Sequence, residues 1–205
     1  MTAVLERRVF LSEVETRTAG EGRRIIVGYA YKFNERSQNL GGFREQILPG
    51  AGKDSIGSDD IRALTNHDAN LILGRNRAGT LRMAEDSTGL EYEIDADERQ
   101  SYVSDLLISL ERGDVNQSSF GFMVNRDGEK WSMDEDDTPL RSVSSMRLFD
   151  VSPVTYPAYL NSESSVSQRA IDYAAMFRDE VRGVWVPEPD VYPVDPRLAL
   201  HILRG

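Results

Sequence analysis

The sequence predicts an α+β fold built mostly of strands: a closed or partly open β-barrel wrapped by a few helices, with a helical and Pro-rich C-terminal tail. Short apolar runs recur every 8 to 12 residues or so, the spacing of barrels and sandwiches. Gly- and Asp-rich turn signals separate them. Inside the body, one stretch carries a clear helical stripe.

The first run, Arg24–Phe33, places Ile25, Val27, Tyr29, Tyr31 and Phe33 on one strand face. Gly28 and Ala30 between them suit close approach by another layer. A turn-rich insert from Asn34 to Gly42 leads to Phe43–Leu48, and Pro49-Gly50 can open a short helix. Further strands are expected at Ile61–Thr65, Asn70–Leu73, Gly79–Met83 and Gly89–Asp95, with turns at Arg77–Gly79 and Asp86–Gly89. From Glu98 to Arg112, Tyr102, Leu106 and Leu110 lie one turn apart, and Val103 and Leu107 widen the stripe. Gly113 stops that helix. Strands at Gln117–Asn125 and Leu140–Val151 follow, separated by a loop carrying Asp134–Asp137. Ser162–Val181 reads as a helix, with Ile171, Ala174, Ala175 and Val181 as its contacts, and Pro187, Pro189, Pro193 and Pro196 exclude a regular element beyond it. The expected division is a body, 1–161, and an appendage, 162–205, without internal repeats.

With 205 residues, 40% hydrophobic and 28% charged, the chain can bury a sizeable core. A net charge of -10 argues against a nucleic-acid partner, which needs Lys and Arg to displace phosphate counterions. The absence of cysteine excludes a disulfide scaffold, a thiolate metal site and a cysteine nucleophile. Met1–Arg8 lacks an apolar signal core, and no window approaches the ~20 apolar residues of a membrane span. A cytoplasmic chain without a membrane partner is expected.

Two histidines limit the chemistry further. His67, in Leu64-Thr65-Asn66-His67-Asp68, closes a short strand at a rim, where an imidazole can serve as a base. Gln117-Ser118-Ser119-Phe120-Gly121-Phe122 supplies hydroxyls: with Phe120 and Phe122 turned to the core, Ser119 falls on the opposite, open face beside Gly121. Asp150, at the end of its strand, can hold an imidazole tautomer, with Asp68 as a rival. Base, nucleophile and acid are the minimum parts of a serine hydrolase. There is no Gly-x-Ser-x-Gly elbow, which disfavours an α/β-hydrolase. No metal and no cofactor are expected: Asp134–Asp137 lacks the Gly and closing Glu of a calcium loop and reads as a solvated hairpin tip, and His201 lies in the tail.

Several segments, in order, resemble the prohead proteases of tailed bacteriophages. They are Gly28-Tyr29-Ala30 with Phe33, Gly42–Glu45, Leu48–Ala51, Arg62–Leu64 through Asn66–Asp68, Leu73–Arg75, Gly113–Val115, Ser119–Phe122 and Phe149–Thr155. The resemblance covers roughly residues 25–159. It implies a fold similar to the herpesvirus maturation protease, with His67 as the base, Ser119 as the nucleophile and Asp150 as the third member. Gln117-Ser118 stands where many relatives carry Gly-Met, so Ser118 competes with Ser119. The resemblance also implies peptide-bond hydrolysis through an acyl-enzyme, with backbone amides as the oxyanion hole. The implied substrates are the scaffolding protein and the N-terminal segment of the major capsid protein, inside the assembling prohead in the host cytoplasm. A homo-oligomer and self-processing of the tail are compatible with it. A non-catalytic assembly protein on the same fold, and a small-ester hydrolase, are the alternatives.

Overall fold

The computed structural model describes residues 5–10, 14–155 and 168–183. The chain runs β1 (Glu6–Phe10), β2 (Glu15–Thr18), β3 (Arg24–Lys32), β4 (Arg44–Ile47) and α1 (Lys53–Ser58). Next come β5 (Arg62–Thr65), β6 (Asp68–Arg75), β7 (Leu81–Glu85), β8 (Gly89–Asp95) and α2 (Ser101–Glu111). The last elements are β9 (Gln117–Val124), β10 (Glu129–Met133), β11 (Pro139–Val143), β12 (Met146–Val154) and α3 (Gln168–Val181).

The fold is α+β and mostly β, as expected, but the β-barrel needs correction. The strands form three sheets, ordered β1-β9-β12-β5-β6, β10-β11-β4 and β2-β3-β8-β7. A barrel requires an unbroken ladder that returns to its first strand. Here each sheet keeps two end strands, and the sheets are not closed on one another.

Their inner faces meet in one apolar core. Tyr31 of β3 packs on Phe120 of β9 with ring centroids 5.1 Å apart, and Phe120 stacks on Phe122 at 4.8 Å. The α2 stripe adds Val103, Leu106, Leu107 and Leu110, all buried, and Gly113 takes φ 78° at its end, as the sequence led us to expect. A second cluster joins α3 to the three-stranded sheet. Ala170 and Ala174 pack against Leu40 and Phe43, and Trp131 lies 5.2 Å from both Phe43 and Tyr173. Ala174 is thus a contact as expected, whereas Val181 is exposed. The expected helix residues 162–167 and the Pro-rich tail lie outside the described residues.

Two strand readings change for a physical reason. In β3 the register shifts between Tyr29 and Tyr31, so Ile26 is buried below the bulge and Tyr31 above it. Simple alternation had chosen Ile25. Gly28 does make room, but for its cross-strand partner: a Cβ there would sit 2.7 Å from Tyr92 Oη. The expected Leu140–Val151 strand is two strands, β11 and β12, separated at Ser144-Ser145, and β12 extends through Pro153. Among the described residues, no helix is long and apolar enough to cross a membrane.

β1 was not legible because its inward residues are charged. Glu6 and Arg8 are each 3% exposed and point into a buried ionic network with Glu45 of β4 and Arg141 of β11. Arg8 Nε donates to Glu45 Oε1 at 2.9 Å, and Arg141 Nη1 donates to Glu6 Oε2 and Glu45 Oε2 at 2.9 Å each. These bonds fasten the edge of the five-stranded sheet to the three-stranded one. Burial pushes the Glu6 carboxyl upward, but the Arg8 and Arg141 guanidinium groups outweigh it and hold its pKa below the ordinary value.

Candidate active site

Three adjacent parts of the five-stranded sheet build the site: β9, β12 and the β5–β6 hairpin. Thr65 pairs with Asp68, leaving Asn66 and His67 as a two-residue loop with φ 52° and 58°. Positive φ at both central residues is the geometry of a tight hairpin turn matched to strand twist. Asn suits it; His is strained there, as residues at functional sites often are. Asn66 fastens the turn to the end of β12. Its N–H donates to Pro153 O at 3.0 Å, and its Oδ1 accepts from Thr155 N at 2.9 Å.

This turn hangs the imidazole over β9 and β12. Ser119 Oγ lies 2.6 Å from His67 Nε2, and His67 Nδ1 bonds Asp150 Oδ2 at short range. The His67 and Asp150 side chains are each 9% exposed. In the tautomer that carries hydrogen on Nδ1, Asp150 accepts that hydrogen and Nε2 is free to accept from Ser119.

Strand parity explains why acid and serine share a face. Ser119 and Gly121 lie on one face of β9, with Ser118, Phe120 and Phe122 on the other. On β12, Leu148 pairs with Phe122, but a bulge at Phe149 makes Asp150 the partner of Gly121 and Ser152 the partner of Ser119. Without that extra residue, Asp150 would follow Met146 and Leu148 into the core. Asp150 also nests against the bare Cα of Gly121, since a Cβ there would overlap its Oδ1. The acid is therefore buried in mid-strand, rather than at the strand end expected.

Ser118 points the other way. Its Oγ lies 3.0 Å from Tyr92 Oη, deep in the core, so the structure gives Ser119, not Ser118, to His67. The openness predicted for Ser119 is corrected. It is fully buried because β1 pairs along β9, and its Oγ also donates to Arg8 O at 2.9 Å. A serine hydroxyl has one hydrogen, so Nε2 and the Arg8 carbonyl compete for it. Asp68 is exposed and binds the Asn70 amide instead, and it does not join the group.

The acidic loop is also better partnered than expected. The Asp134 side chain is 4% exposed, with Arg36 at 2.9 Å and Arg44 at 3.3 Å, while Glu135, Asp136 and Asp137 are exposed at the hairpin tip as expected. One residue beside the site escaped the sequence reading. Ser152 is fully buried, and its Oγ donates to Asp150 Oδ2 at 2.9 Å. Its place two residues after the acid is the signal that could have found it.

A hydroxyl, an imidazole and a carboxylate in hydrogen-bonded series have the connectivity of serine hydrolases. The family model described as Caudovirus prohead serine protease matches residues 12–177, and the chain belongs to that family. Comparison with curated proteins and with solved structures gives no match.

Proposed function

We propose that this chain is the serine endopeptidase of prohead maturation, with Ser119 as nucleophile, His67 as general base and Asp150 as the orienting acid. The observation that carries it is the continuous Ser119–His67–Asp150 hydrogen-bonded series in a chain of this family. Ser119 Oγ attacks the scissile carbonyl carbon while His67 Nε2 takes its proton. The C–N bond then breaks, and His67 returns that proton to the leaving amine. Water hydrolyses the resulting acyl-enzyme by the same route. Asp150 holds Nδ1–H throughout and stabilises the imidazolium.

The substrates we propose are the scaffolding protein and the N-terminal segment of the major capsid protein, cut within the assembling prohead in the host. Family membership supports that setting. We also propose 1–161 as the proteolytic body and 162–205 as an appendage that docks through α3. The test is co-expression with the capsid and scaffolding proteins, read on gels and by mass spectrometry. Wild type and Ser118→Ala are expected to cleave, and Ser119→Ala is not. Cleavage that persists in Ser119→Ala would overturn the nucleophile, and cleavage by none of the three would favour an assembly role.

A further inference from the structure

Asp150 Oδ2 receives two donors from inside the protein. One is His67 Nδ1–H, and the other is the hydroxyl of Ser152 at 2.9 Å. Ser152 is fully buried, so no solvent competes for its single hydrogen. Its Oγ stands 3.5 Å from His67 Nδ1, too far for a useful bond between two donors, so the two converge on the same oxygen. The other carboxylate oxygen rests against Gly121, on the opposite strand. Asp150 is thus held from two sides: a hydroxyl fixes Oδ2 and a missing side chain admits Oδ1.

The neighbouring imidazole needs that support. His67 sits on a turn whose backbone has positive φ, and its ring is tied to Asp150 through Nδ1 and to Ser119 through Nε2. A carboxylate free to rotate would carry the ring with it and spoil the alignment of Nε2 with Ser119.

We propose that Ser152 is a positioning residue, which fixes the Asp150 carboxylate and through it the ring of His67. This rests on the serine-protease reading above. Ser152 does not touch the reacting atoms. On β12 it is the cross-strand partner of Ser119, so one short segment supplies both the acid and the group that aims it.

The test compares Ser152→Ala with the isosteric pair Ser152→Thr and Ser152→Val, which differ only in the hydroxyl. Two readouts are used: cleavage kinetics on the capsid protein, and the low-field proton resonance of His67 Nδ1–H, which needs no substrate. Ser152→Ala and Ser152→Val are expected to lose about tenfold or more in kcat, the scale of one hydrogen bond to a charged group, with KM unchanged. In both, the resonance shifts or broadens, while Ser152→Thr keeps it in place and keeps kcat near that of wild type. A merely structural role would lower thermal stability in all three without separating Thr from Val. Wild-type kcat and an unmoved resonance in Ser152→Val would overturn the proposal, even where Ser119→Ala abolishes cleavage. No cleavage by wild type would instead overturn the protease reading, cleavage persisting in Ser119→Ala would overturn the choice of nucleophile, and in either case the resonance would still decide the role of Ser152.

Discussion

Gly121→Ala tests whether the fit of Asp150 against β9 matters. The glycine is not needed for its backbone angles, because its φ is not in the left-handed region. It is needed for space. An alanine Cβ would overlap Asp150 Oδ1, stand 3.3 Å from its Cγ and approach Leu5 Cδ1 at 3.8 Å. An ordinary carbon–oxygen contact is about 3.3 Å or more, so Oδ1 must retreat by roughly an ångström. The carboxylate cannot make that retreat alone, because Oδ2 is bound by His67 and Ser152. The displacement therefore passes to the imidazole. A misplacement of about 1 Å costs on the order of a hundredfold in rate, and overpacking costs about 1–3 kcal/mol in stability. The assay is kcat on the capsid protein, with thermal unfolding to count folded enzyme. A folded Gly121→Ala that cleaves at the wild-type rate would refute the claim that Asp150 orients the base.

Asn66→Ala removes the clamp to Thr155 and puts a less suited residue at φ 52°. We expect a loss of about 2 kcal/mol, from a hydrogen bond and left-handed strain together, and a lower kcat. Asn66→Gly, which relieves the strain but not the lost clamp, should fall between; denaturant titration checks both. Glu45→Ala strips Arg8 and Arg141 of a shared buried partner, and a loss of about 3–5 kcal/mol is expected by the same measurement. Acid should weaken the same network. The Glu6 pKa is held below its ordinary 4.5, so below that pH the unfolded chain takes up a proton before the folded one does. Stability supplied by Glu6 is present above about pH 4.5 and lost as pH falls through the lower folded value. A melting temperature in Glu6→Gln with the same dependence on pH below 4.5 as in wild type would contradict this.

The elements with ordinary patterning were legible. The α2 stripe, β8 and β9 fall within a few residues of where periodicity puts them, because each buries an apolar face against the core. What the sequence hid depends on partners. β1 looks like a solvated charged segment because, beyond the ion pair Glu6 and Arg8 make with each other, the charges that allow their burial come from Glu45 and Arg141, far along the chain. The face of β3 was misread because a bulge is set by the neighbouring ladder, not by local composition. At the site, Phe120 and Phe122 made the facing of Ser119 legible from alternation alone. Its burial was not, because the strand that covers it is β1.

The same limit applies to the acid and explains how the site is assembled. Met146 and Leu148 are buried apolar residues at alternate positions, and uninterrupted alternation would make Asp150 the next core residue. An unpaired carboxylate there would be prohibitively costly. The bulge at Phe149 resolves the conflict by turning Val151 inward and Asp150 toward Gly121 and His67. It is held from outside the sheet, since the Leu148 N–H donates to Ser55 Oγ of α1 at 2.8 Å. One irregularity thus keeps the core apolar above and below it and brings an acid to the serine's face. That makes the bulge as much a part of the proposed triad as the side chains themselves.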